Sequence, residues 1–236
     1  NSMTSMVTAE QARRLRMVYD AKIMLDELMK RYTSFQIGGP ADVLVEPHDV
    51  EALQTVLQWA WSEGLPVFVL GNGTNLLVAD EGIRGVVVRI GPGLDDISFE
   101  GECVRAGAGV TLPVLARECA ERGLAGLEWA VGIPGSLGGA LTMNAGAYSH
   151  TVGDVTREVK MIGLDGAFSV KTGEEMQFAQ RSSRLSQGDV IAYQALLALR
   201  HADPDEIRAR TAGYMKDRRI KQPLHMPSAG CVFQNP

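Results

Sequence analysis

Histidines, cysteines and aromatics are all sparse in this chain, and positive charge does not dominate. Four histidines and three cysteines stand among 236 residues. Cys103, Cys119 and Cys231 lie far apart and form neither a C-x-x-C pair nor a Cys/His cluster with the spacing of a zinc site. That excludes a disulfide scaffold and a structural zinc module, and it predicts a reducing, cytosolic setting with no metal centre. Lys and Arg number 23 against 28 Asp and Glu, a formal net charge of −5. No basic footprint for nucleic acid or an anionic membrane follows from that balance. No apolar run reaches the roughly 18 residues a membrane span requires, and no leader pattern opens the chain. What is plentiful is glycine, 26 residues, on an ordinary background of 45% hydrophobic and 22% charged positions.

Residues Thr8 to Arg31 are rich in helix formers, with an extended stretch near 22–24. ADVLVEP reads as a strand over 42–46, stopped by Pro47. Over 49–62 the apolar positions Val50, Leu53, Leu57 and Ala60 recur at helical spacing, with Asp49 placed to cap the start and Gly64 the end. PVFVL (66–70) reads by composition as a buried strand, and GVVVRI (85–90) as another. Gly91-Pro92-Gly93 then marks the best boundary between two parts of the chain. Short strands near 95–106 precede a helix that starts after Thr111 with Leu112, Leu115, Ala116 and Cys119 on one face. Strands over 155–164 and 189–199 follow. A last helix over 204–216 opens after Asp203, with acids near its start and bases further along, as its dipole favours. The mixture lacks strict β-α-β alternation, which predicts an α+β fold.

Two glycine-rich stretches carry the chemistry. In PVFVLGNGTNLLV, Gly71 and Gly73 carry no Cβ and accept positive φ, so successive amides can form a concave nest for an anion. Asn72, Thr74 and Asn75 add short hydrogen-bonding side chains. The competing reading is a hairpin turn, for which Asn-Gly is a strong signal. The loop is no Walker A, since no Gly-Lys-Ser/Thr follows. Leu76 stands where a dinucleotide fingerprint would need its third glycine. The second stretch is GIPGSLGGALTMNAGAY, residues 132–148. Gly132, Gly135, Gly138 and Gly139 permit close backbone approach, Pro134 fixes a turn, and Ser136 and Asn144 offer small polar groups. Read as a loop, it has more small residues than a single bend or helix crossing needs, so a ligand lying against backbone is expected.

YTSFQIGGPADVLVEP, VLGNGTNLLVAD, GIPGSLGGALTMNAGAY, FAQRSSRL and QPLHMPSAGCVFQNP occur in this order. Together, from about residue 31 onward, they resemble the UDP-N-acetylenolpyruvoylglucosamine reductase family in its short form. The resemblance implies a two-subdomain FAD-binding module of vanillyl-alcohol-oxidase (VAO/PCMH) type, over 31–92 and 93–200, after an N-terminal segment 1–30. A partial α+β substrate-binding domain would begin at 201–236. It implies non-covalent FAD, NADPH as hydride donor and a cytoplasmic enzyme of peptidoglycan precursor synthesis. That enzyme reduces UDP-N-acetylglucosamine enolpyruvate to UDP-N-acetylmuramate. Gly71, Asn72, Gly73, Thr74 and Asn75 would wrap the pyrophosphate, with 33–39 nearby. Gly132, Ile133, Pro134, Gly135, Ser136, Gly138 and Gly139 would run along the flavin, and Asn144, Ala145 and Gly146 would complete the site.

By the same resemblance Arg181 is the catalytic arginine, able to grip a carboxylate with two parallel bonds, and Cys231 is the proton donor. Gln180 and Asn235 are substrate contacts. The pattern departs at Gln180, where the family usually has tyrosine, and at Gln234, in place of a lysine. The family also continues beyond Pro236 and places there a glutamate, a role no residue of this sequence takes, so the substrate domain reads as incomplete. Two other functions remain open on the residues alone: a different FAD-dependent oxidoreductase acting on alcohols or sugars, and a flavin-binding remnant without full catalysis.

Overall fold

The computed structural model describes residues 5–19, 22–32, 38–71 and 82–221. Helix α1 (Ala9–Val18) opens on a capping box between Thr8 and Gln11 and buries Ala12 and Leu15. Strands β1 (Ile23–Leu28) and β2 (Pro40–Val45) pair antiparallel. Helix α2 (Val50–Ser62) begins where Asp49 accepts the amide of Ala52 at 2.7 Å. It ends before Gly64, whose φ of +66° suits a helix stop. Strands β3 (Val67–Leu70) and β4 (Ile83–Arg89) complete a four-stranded sheet in the order β1-β2-β4-β3, with β2, β4 and β3 parallel.

The central strands β2 and β4 carry the apolar runs Val43–Val45 and Val86–Val88, fully buried because both faces of the parallel strands are covered. β3 departs from the sequence reading. It is an edge strand, and Phe68 and Val69 are 45% and 48% exposed, leaving only Leu70 deeply buried. Composition alone does not separate an edge strand from a central one.

Gly93, at φ +95°, turns the chain directly against His48, where a Cβ would stand 2.5 Å from His48 Cα. Strands β5 (Ile97–Glu100) and β6 (Cys103–Gly107) follow, then α3 (Leu112–Glu121) and the short β7 (Leu124–Ala125). Helix α4 (Leu137–Met143) leads to a small hairpin of β8 (Gly146–Ala147) and β9 (His150–Thr151). Strands β10 (Thr156–Gly163), β11 (Phe168–Thr172) and β12 (Val190–Ala198) join β6 and β5 in an antiparallel sheet of order β11-β10-β12-β6-β5. β13 (Arg200–His201) pairs with β7, and α5 (Pro204–Lys221) closes the described chain, five residues longer than its pattern predicts.

Two features of this second part were not read from sequence. β11 is an edge strand whose apolar residues Phe168 and Val170 face outward, 49% and 53% exposed, so no buried alternation announces it. α4 lies inside the glycine stretch read as a loop.

One hydrophobic core fills the space between the second sheet (Val104, Val159, Met161, Leu197) and helices α3 and α4 (Leu115, Cys119, Leu137, Leu141). Burial pushes the Cys119 thiol up to about 12, so it is an inert core residue. A second core joins α1, α2 and the first sheet to Ala108, Ile162 and Ile191 of the other half, and so welds the two sheets together. Gln54 of α2 adds a bond of 3.0 Å to the carbonyl of Gly166. Among the described residues no helix is long and apolar enough to cross a membrane.

Candidate cofactor site

β3 ends at the junction of the two halves. The amide of Ile90 donates to the carbonyl of Leu70 at 2.8 Å, which fixes the end of β3 beside β4. Gly71 follows at once. A Cβ on it would lie 2.6 Å from Ser136 Oγ, so the two glycine stretches meet here with no space for a side chain. Asn72, Gly73, Thr74 and Asn75 lie outside the described residues, as do Thr33 to Ile37.

The second stretch is held by backbone bonds along residues 108–112. Leu112 donates to the Gly135 carbonyl (3.0 Å), Leu137 to Val110 (2.8 Å) and Gly138 to Ala108 (2.9 Å). Ser136 then caps α4 by accepting the Gly139 amide at 3.3 Å. Much of the glycine content serves this packing. A Cβ on Gly132 would strike Arg218 Cδ at 2.6 Å, one on Gly138 would stand 3.2 Å from Ala108 Cβ, and one on Gly146 would overlap the His150 carbonyl at 2.1 Å. Ile133 packs on the core between the second sheet and helices α3 and α4, while Pro134 is exposed and Gly135 adopts φ +129°. Gly139 is different: it is exposed, and the nearest atom to its missing Cβ is Ser136 Oγ at 3.6 Å. Gly71 and Gly139 thus flank Ser136, one without room for a side chain and the other open to an approaching group. That arrangement fits a flat ring system and a pyrophosphate laid against backbone.

The far end of α4 holds Arg181. Asn144 ends the helix in the left-handed region, φ +47°. Its amide accepts from Gly153 N at 3.0 Å and donates to the Ala179 carbonyl at 3.2 Å. Ala179 and Ser182 exchange backbone bonds of 3.0 and 3.3 Å, which puts the exposed Gln180 and the half-buried Arg181 at the tip of a tight turn. Ser183 and Ser186 both donate to the Thr142 carbonyl at 3.1 Å, and Arg184 forms a two-point ion pair with Asp189. Of the four residues in RSSR, three are therefore occupied in shaping the loop that presents Arg181. Cys231 and Asn235 lie outside the described residues.

Sequence reasoning missed the residues that dock α5 against this site. Tyr148 stacks on Tyr214 with ring centroids 4.4 Å apart and donates to Asp217 at 2.7 Å. That bond holds the Asp217 carboxyl below its ordinary range, with help from Lys221, and holds the Tyr148 phenol above its own. Arg210 of α5 pairs with the buried Glu128 at 3.0 Å. Tyr148 stands inside the glycine stretch, and its aromatic ring among small residues is the one signal of a contact there.

The family described as an FAD binding domain matches residues 41–169, so this is an FAD-binding α+β module of vanillyl-alcohol-oxidase type and its cofactor is FAD. The UDP-N-acetylenolpyruvoylglucosamine reductase of Syntrophomonas wolfei is 44% identical over 91% of this chain and 72% of its own length. UDP-N-acetylenolpyruvoylglucosamine reductase 2 of Symbiobacterium thermophilum is 43% identical over 95% and 74%. The crystal structure of the MurB enzyme from Thermus caldophilus superposes with a TM-score of 0.77 at 36% identity, over 92% of this chain and 75% of that one. The chain belongs to the UDP-N-acetylenolpyruvoylglucosamine reductase (MurB) family of flavoprotein oxidoreductases.

Proposed function

We propose that this chain reduces UDP-N-acetylglucosamine enolpyruvate to UDP-N-acetylmuramate, with NADPH as hydride donor, as a cytoplasmic step of peptidoglycan precursor synthesis. The observation that carries the reading is α4 itself. Its first turn meets Gly71 at the cofactor cradle, and its last turn holds the Arg181 loop. One short rigid element thus sets the distance between the cofactor and the residue assigned to the substrate carboxylate.

When bound, FAD supplies a two-electron carrier that takes up a hydride and releases it. The residues of this chain do the rest. The backbone amides of Gly71, Asn72, Gly73, Thr74 and Asn75 would hold the pyrophosphate. Ile133, Pro134, Gly135, Ser136 and Gly139 would hold the flavin, while Gly132, Gly138 and Gly146 clear space for Arg218, Ala108 and His150. The parts 31–92 and 93–200 act as the two halves of the cofactor module. The Arg181 guanidinium grips the carboxylate of the enolpyruvyl group and stabilises the negative charge that builds on it. Cys231 Sγ supplies the proton delivered to the carbanionic carbon, a thiol being a stronger acid than an alcohol. Gln180 and Asn235 contact the nucleotide sugar.

The test is spectroscopic. The protein is mixed with FAD and desalted, and its visible spectrum is recorded. A retained flavin band that NADPH bleaches and the enolpyruvyl substrate restores supports the reading. A retained band restored only by oxygen points to an oxidase, and no band removes the cofactor site altogether.

A further inference from the structure

Asn144 ties the end of α4 to Gly153 and to the distant Ala179. It ends α4 with φ +47°, a backbone that asparagine tolerates better than most residues. Its oxygen takes the Gly153 amide and its nitrogen the Ala179 carbonyl, so both ends of the side chain are used inside the protein. Asn144 is closely packed on the Gly153 side, where a Cβ on Gly153 would stand 2.7 Å from Asn144 Oδ1 and 2.8 Å from Phe178 Cγ. The bond to Ala179 falls on the first residue of the four-residue turn whose tip is Gln180-Arg181. Arg181 itself sits at φ +56°, a conformation that costs a side chain with a Cβ and persists only where neighbours impose it. The serine bonds from 183 and 186 to Thr142 anchor the loop after the turn, and Asn144 anchors it before the turn.

We propose that Asn144 is a positioning residue for Arg181 and not a contact of the cofactor. It clamps the Ala179–Ser182 turn to the end of α4, so that the arginine is presented to the substrate carboxylate. The inference rests on the carboxylate-binding role proposed for Arg181.

Asn144→Asp preserves size and the acceptor for Gly153 but removes the donor to Ala179. Asn144→Gly accepts the left-handed backbone and removes both bonds. Each variant, Arg181→Ala, and the Asn144→Asp/Arg181→Ala double variant are loaded with FAD. FAD affinity and affinity for the enolpyruvyl substrate are then measured by titration, and exchange of the Ser182 amide is followed by hydrogen–deuterium exchange. The expected result is FAD affinity within about twofold of the parent, substrate affinity lowered about tenfold in Asn144→Asp, as for loss of one hydrogen bond, and at least as much in Asn144→Gly, with faster exchange at Ser182 in both. In the Arg181→Ala background Asn144→Asp is expected to add nothing. Loss of FAD affinity in parallel with substrate affinity, or an undiminished effect of Asn144→Asp without Arg181, overturns the proposal. Unchanged substrate affinity in Arg181→Ala instead overturns the role of Arg181 on which it rests.

Discussion

Gly71 and Ser136, 65 positions apart in the chain, approach so closely that a Cβ on Gly71 would stand 2.6 Å from Ser136 Oγ. The serine oxygen can rotate away, but it then gives up the Gly139 amide and uncaps α4. Gly71→Ala is therefore expected to cost about 1 kcal/mol, the usual worth of an N-cap. It is also expected to weaken FAD binding. In a Ser136→Ala background the added methyl meets no oxygen, and Gly71→Ala should lose most of its effect on stability. Thermal unfolding of the two single variants and the double variant measures the coupling, and fully additive shifts would refute the contact.

How much of this was legible in the sequence depends on what each residue type can signal. The cap at Asp49, the apolar face of α2 and the strands β4, β10 and β12 follow from spacing and composition, because burial there is continuous or periodic. The glycine stretch was located, but not its division of labour. A glycine is silent about whether its missing side chain clears space for a ligand or for another part of the chain. Gly132, Gly138 and Gly146 clear space for Arg218, Ala108 and His150, all contacts of long sequence separation or of unforeseen turns. β3 and β11 were misread or missed because exposed apolar side chains at a sheet edge look, in one dimension, like core. The motif singles out Arg181, whereas the hydrogen bonds that shape its loop come from separate segments and carry no local pattern.

Asp42 supports the first sheet from inside. Its carboxylate, fully buried, meets Arg84 at 2.7 Å and accepts the amides of Met6 and Gly85, both at 2.9 Å. Asp42→Ala strips a partner from a half-buried guanidinium, which keeps its bond to the Pro40 carbonyl, and from two amides at once, with an expected cost of about 3 kcal/mol. Arg84→Met leaves the carboxylate with both amide donors and should cost less. Urea unfolding of the two variants gives the order; the reverse order would show that the amide bonds contribute little.

The contact between Tyr148 and Asp217 makes the docking of α5 dependent on pH in both directions. The Asp217 carboxyl is held below its ordinary range, first by the Tyr148 hydrogen bond and then by Lys221. Its stabilisation is complete above the unfolded value of about 3.9 and is lost as pH falls through the lower folded value. The Tyr148 phenol is held above its range by the same bond. That part is complete below the unfolded value of about 10 and is lost as pH rises through the higher folded one. Tyr148→Phe keeps the stacking on Tyr214 and removes the bond. The difference in Tm between parent and variant is expected to be level between roughly pH 5 and pH 9 and to shrink on both sides. A difference independent of pH would assign the effect to the ring alone.

Gly139 and Gly146 separate clearance for a ligand from clearance for the chain. Gly139 lies in the first turn of α4, exposed, with only an ordinary contact awaiting a Cβ. Alanine there is a better helix former than glycine by up to about 1 kcal/mol. Gly139→Ala is therefore expected to leave the protein as stable or more so without added FAD, while the rise of Tm with FAD concentration moves to higher concentration. Gly146 faces the carbonyl of His150, where a Cβ would stand at 2.1 Å against backbone that cannot rotate away. Gly146→Ala is expected to lose about 1–3 kcal/mol through the strained β8–β9 hairpin, with the FAD dependence of Tm otherwise parallel to the parent. Thermal unfolding across an FAD titration reads both variants in one experiment. If Gly139→Ala binds FAD like the parent, the open face of α4 is not where the cofactor lies.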